Sequence, residues 1–134
     1  MSRVPGRPRH SGGGIPSRRL RLTNYNGTPY GIGAKGEYRG HTVAVDLFAP
    51  NAWGLFQVHG NIYEWTEDCG HENNQGAPGD GSAWTTGDCT SRIIRGGSWD
   101  YDAEYLRSGS RLAYAIDTRD VWLGFRVGRS LLTP

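Results

Sequence analysis

Glycine limits what this chain can build more than any other residue does. There are 21 glycines in 134 residues, set among five tryptophans and seven tyrosines. Glycine serves turns at no steric cost and loses the most backbone entropy when fixed inside a helix. The mix therefore points to a loop-rich, turn-rich domain and away from a helical bundle. The apolar content of 36% is low, and a chain of this length holds one modest core in one domain. It contains no run of 18 apolar residues, so no segment reads as a membrane-spanning helix.

Charge is unevenly placed. Residues 1–21 hold Arg3, Arg7, Arg9, Arg18, Arg19 and Arg21 and no acid, which is six of the 15 basic residues. The rest of the chain carries nine basic against 13 acidic residues. With Gly12, Gly13, Gly14 and several prolines, residues 1–22 are expected to form a flexible basic tail ahead of a domain at 23–134. No aromatic residue interleaves with these arginines, so stacking on nucleic-acid bases is not expected. The stretch also lacks the apolar core of a signal peptide.

Cys69 and Cys89 bracket a polar segment rich in Gly, Asn and Asp. A disulfide closing this loop is the leading expectation, with two free thiols or a metal pair as the alternatives. A bonded pair would imply an oxidising compartment, periplasmic or secreted, and free thiols a cytoplasmic one. His41, His59 and His71 lie on polar stretches and read as surface histidines.

Between the turn-forming stretches, short strands are expected at 43–45, within Ile62–Asp68, and at Ser91–Trp99. Residues 104–111 read as a strand or a short irregular segment. A last strand is expected where Val121, Leu123, Phe125 and Val127 alternate. The sequence holds no internal repeat.

Three blocks stand out. Asn51–Trp65 reads NAWGLFQVHGNIYEW, Arg95–Trp99 reads RGGSW, and Gly124–Val127 reads GFRV, with Arg107 and Arg111 between the last two. In order and spacing, these blocks resemble the C-terminal half of the formylglycine-generating-enzyme (sulfatase-modifying-factor) domain, from Asn24 to Arg129. The N-terminal half of that domain, with its R-L-P-T-E-A-E-W-E block, has no counterpart in this sequence. The resemblance implies an irregular, loop-rich α+β fold of the C-type-lectin-like kind, with short antiparallel strands and shortened at its N-terminus. It also implies a calcium site formed by the Gln57 side chain, the Gly60 and Ile62 carbonyls and the Glu64 carboxylate. Calcium seeks six to eight oxygens, charged ones above all. The family has Asp or Asn more often where Gln57 stands, and the alternative is that Glu64 pairs with an arginine such as Arg95. A second calcium site would use Asn24 and the Tyr25 carbonyl, but Lys35 lies near the place of an expected acidic ligand.

Members that make formylglycine carry two copper-binding cysteines shortly after the RGGSW block. Those places fall on Tyr101 and Leu106, neither a thiolate, so no copper is expected. Cys69 and Cys89 lie upstream and do not carry over to that role. The resemblance then implies a non-catalytic module for protein or ligand binding. Its candidate surface is Trp99, Tyr101, Asp102, Tyr105, Arg107, Arg111 and Tyr114, in a Tyr-, Asp- and Ser-rich stretch suited to adaptable contacts. The other class is an oxidoreductase of the family, formylglycine-generating or of non-haem iron type, completed by another chain. Arg95, Arg107, Arg111 and Arg126 read either as a groove for an anionic or peptide ligand or as structural forks onto carbonyls and carboxylates. Without a covering half, Trp53, Phe56, Trp65, Trp99, Trp122 and Phe125 would leave apolar area exposed. Self-association or docking on another protein is therefore expected.

Overall fold

The computed structural model describes residues 22–128; the basic tail expected over residues 1–22 falls outside them save for its last residue. Four strands form one mixed sheet. They are β1 (Tyr63–Gly70), β2 (Asp88–Arg95), β3 (Leu112–Ala115) and β4 (Leu123–Gly124), in the spatial order β3-β2-β1-β4. β1 pairs antiparallel with β2, and β2 with β3, while the two-residue β4 runs parallel to β1. Helical structure among the described residues amounts to one 3-10 turn at Ala103–Leu106. No helix among them is long and apolar enough to cross a membrane.

β1 and β2 form because their residues match a pleated, half-buried surface. Tyr63, Cys69, Ile93 and Ile94 are fully buried, with polar or half-buried residues between them. The pairing slips near Cys69, where the register between the two strands shifts. Cys69 and Cys89 are disulfide-bonded, with their Cα atoms 4.6 Å apart. A second core group lies on the other side of the RGGSW block, where Tyr25, Ala103 and Leu106 pack with Tyr30.

The expected strand at 43–45 is a turn instead. The Leu47 N–H donates to the Ala44 carbonyl at 3.1 Å, and Val45 is exposed. Apolar alternation over three residues is too short to hold a strand that has no partner. The last expected strand shrinks to Leu123–Gly124, because Val121, Phe125 and Val127 point to solvent. Conversely, the sequence does not mark β3 as a strand: Leu112–Ala115 is only four residues long, and its pairing with β2 supplies the order that its own sequence lacks.

Four segments meet at Asn61. Its N–H donates to the Asn24 carbonyl at 2.8 Å, its carbonyl accepts the Trp99 N–H at 3.0 Å, and its side chain both donates to and accepts from Val43. Asn24 is fully buried, and its amide donates to the His41 carbonyl and to the Asn61 side chain. The neighbouring Gly60 N–H reaches the Gly96 carbonyl at 2.7 Å. These bonds satisfy loop backbone that no strand pairs.

Candidate functional site

The RGGSW block ends β2 and turns the chain back over the sheet. Gly97 has φ +74°, and a Cβ there would lie 2.8 Å from the Leu106 side chain, so only glycine lets the buried Leu106 seat. From this turn onward the chain divides its side chains between two directions. Trp99 stacks on Tyr38, and Asp102 accepts bonds from Asn26 and Thr28, so both anchor the segment to residues 26–38. Tyr101, Tyr105 and Tyr114 instead gather with Tyr63 and Trp122. The Tyr101 ring meets Tyr63 edge-on at 4.9 Å, Tyr105 at 5.4 Å and Trp122 at 5.5 Å. Tyr114 meets Trp122 at 5.4 Å, and its hydroxyl lies 3.3 Å from that of Tyr101.

Of the seven residues expected to form the surface, the fold thus unites Tyr101, Tyr105 and Tyr114. Arg107 and Arg111 join Tyr105 along a neighbouring cleft. Trp99 and Asp102 serve the loop anchor. Tyr63, not singled out from the sequence, and Trp122, named there only for its apolar area, complete the aromatic group. Their positions beside Glu64 and Leu123, in strands that pair directly, are what place them there.

Burial raises the Tyr63 and Tyr101 hydroxyls well above the ordinary tyrosine range, with the neighbouring tyrosines adding to the effect. Tyr63 is fully buried, and its hydroxyl has no hydrogen-bond partner. The unfolded chain releases this proton near pH 10, whereas the folded chain holds it to higher pH. Stability from this group is therefore present in full below about pH 10 and is lost as pH rises towards the raised folded value. The slope is up to about 1.4 kcal/mol per pH unit. Urea unfolding at pH 9 and 11 should show this loss. Tyr63→Phe should flatten it while costing little at pH 7, because it removes an unpaired buried hydroxyl. An unchanged pH slope in Tyr63→Phe would assign the loss to other groups.

The calcium ligands implied by the sequence are arranged differently from a metal shell. Glu64 is held by Arg126 through both carboxylate oxygens, one of them 2.6 Å from Nε. The same guanidinium donates to the Phe56 carbonyl at 3.0 Å. Arg95, the partner suggested from the sequence, stands opposite Glu64 in the sheet but reaches the Ser108 and Ser110 carbonyls instead. The Gly60 carbonyl accepts the Ile62 N–H at 3.0 Å. The Gln57 amide donates to the Ala44 and Val45 carbonyls, and its side-chain oxygen is buried without a partner. The Asn24 oxygen is likewise buried without a partner. Both Glu64 oxygens already face the Arg126 guanidinium, and the other oxygens of the implied set are neutral, so as arranged the one charged ligand serves an ion pair and not a metal shell. No group of three His, Cys, Asp or Glu gathers among the described residues either.

The histidines split. His41 is exposed, and its carbonyl holds Asn24. His59 is half-buried, and His71 stacks on Trp84 with ring centroids 3.5 Å apart, so neither is a bare surface side chain.

The family model of the sulfatase-modifying factor enzyme 1-like domain matches residues 17–131. The chain belongs to that family. Two solved structures show the likeness in three dimensions. One is PvdO from Pseudomonas aeruginosa, 39% identical, covering 79% of this chain and 38% of its own, with a TM-score of 0.66. The other is Treponema denticola variable protein 1, 28% identical, covering 86% of this chain and 38% of its own, with a TM-score of 0.65. This sulfatase-modifying-factor-like chain thus corresponds to well under half the length of either structure. No curated protein matches it.

Seen as a family member, the chain places Tyr101 and Leu106 where the sequence resemblance puts paired thiolates. Tyr101 belongs to the aromatic group, and Leu106 is fully buried against Gly97 and Tyr25. A phenol and an isobutyl group offer no soft ligand for Cu(I).

Proposed function

We propose that this chain is a non-catalytic member of the sulfatase-modifying-factor family. It acts as a protein- or ligand-binding module on a C-type-lectin-like scaffold, as a subunit of a larger assembly. The observation that carries this reading is the occupation of the two thiolate places by Tyr101 and by the buried Leu106. An oxidase that transfers electrons through copper cannot be assembled from these side chains. What remains is a face of tyrosines and arginines, the tyrosines offering contact area at low entropic cost and none of them redox chemistry. In the same reading, Arg126 replaces calcium as the cation of Glu64. It ties the NAWGLFQVHGNIYEW block to the closing GFRV block through one guanidinium.

Incubating the chain with a CxPxR peptide, copper and oxygen tests the catalytic half of this reading. The peptide cysteine should stay unchanged by mass spectrometry. Aldehyde formed above the level without protein would overturn it.

A further inference from the structure

The turn that follows the 3-10 helix is pinned from below. Arg95, at the end of β2, donates to the Ser108 carbonyl at 3.0 Å and to the Ser110 carbonyl at 3.4 Å. The Ser110 N–H closes the turn on the Arg107 carbonyl at 2.8 Å, and Arg107 Nε donates to the Glu104 carbonyl at 2.9 Å. This fixed turn sets Arg107 and Arg111 along one open cleft of about 330 Å³, whose walls include Glu104, Tyr105, Ser110 and Leu112.

The two arginines in this cleft are not neutralised. The ion pairs among the described residues are Arg39–Glu37 and Arg126–Glu64, and neither involves the cleft. Arg111 goes further: its Nε and Nη1 are buried, and neither has an acceptor. Guanidinium donors shut away from water without an acceptor are costly, and a turn of the Arg111 side chain that brings them onto an anion in the cleft recovers that cost. The charge in the cleft is two arginines against one Glu104 carboxylate, which suits a single negative charge better than a dianion. A guanidinium fork matches the planar geometry of a carboxylate. Tyr105 and Leu112 add an aromatic and an aliphatic wall for the carbon skeleton behind it.

We propose that the cleft between Glu104 and Leu112 is a binding site for a carboxylate, held by Arg111 with Arg107 beside it. This deepens the proposed function by giving its surface a ligand class. The carboxylate can come from a peptide C-terminus or from an acidic side chain.

Calorimetric titration of the full chain decides it, with N-acetyl-Ala-Ala, its C-terminal amide, an amidated peptide containing one Glu, and inorganic phosphate as probes. The acid should bind at least about tenfold more tightly than its amide. Binding of the Glu peptide would assign the site to side-chain carboxylates as well, and its silence to C-termini alone. Arg111→Lys keeps the charge and loses the fork, and should weaken the acid about tenfold. Arg107→Ala should weaken it less and reduce its salt dependence. Equal binding of acid and amide, no binding of the acid at all, or tighter binding of phosphate would overturn the proposal. The acid-against-amide comparison uses the unaltered chain, so it holds even if Arg111→Lys fails to fold. Peptide oxidation in the copper assay would remove the non-catalytic reading while leaving the preference for acid over amide intact, so the two can fail separately.

Discussion

Gly60→Ala should cost this domain about 2–5 kcal/mol, enough to consume much of the stability of a small fold. Two effects add. Gly60 has φ +79°, a left-handed conformation that costs an L-residue about 1–2 kcal/mol. In addition, a Cβ at this position would sit 2.4 Å from the Asn24 carbonyl oxygen and 2.6 Å from the Thr23 side chain. The Asn24 carbonyl cannot retreat, because it already accepts the Asn61 N–H. Moving it would loosen the junction through which Asn61 holds residues 24, 43 and 99 together. Gly54→Ala separates the two effects. Gly54 has φ +75° and open space around its Cβ position, so it should show the backbone strain alone. Urea midpoints of the two variants give the comparison. A Gly60→Ala variant no weaker than Gly54→Ala would mean that the junction can yield.

That junction shows which parts of the fold were legible in the sequence and which were not. The motif around Gly60 and Asn61 was readable as a family block, and the strands on either side of the Cys69–Cys89 loop were readable from their apolar residues. The partner of Glu64 was not, because Arg126 lies 62 residues downstream and only the parallel pairing of β4 with β1 brings it near. Arg95, the arginine named from the sequence as the alternative partner, does stand directly across the sheet from Glu64. Its side chain instead leaves the sheet to hold a turn through the Ser108 and Ser110 carbonyls. β3 stayed invisible for a related reason: a four-residue strand is made by its neighbour, not by its own pattern. The candidate surface was half legible. The sequence picked out its tyrosines and arginines as types, but the division of Trp99 and Asp102 to the loop anchor depends on residues 26–38, far away in sequence.

Replacing both Cys69 and Cys89 by serine should lower stability by about 3 kcal/mol, chiefly by freeing the unfolded chain. The bond closes a loop of 20 residues' separation, and most of that loop is exposed polar chain with little packing of its own. What holds the loop apart from the bond is a clip at Trp84. The Trp84 N–H donates to the Asp68 side chain at 2.8 Å, its carbonyl accepts the Cys69 N–H at 2.8 Å, and its ring stacks on His71. The clip depends on β1 keeping its irregular register at Cys69, so it should survive loss of the disulfide in the folded state. The expected result is therefore a native-like spectrum with a lowered urea midpoint, and a proportionate loss when the unaltered chain is treated with reductant. Hydrogen exchange at the Cys69 and Trp84 amides reports on the clip itself. If those amides exchange freely in the double-serine variant at low temperature, the bond organises the folded loop as well. The entropic account of its contribution would then be wrong.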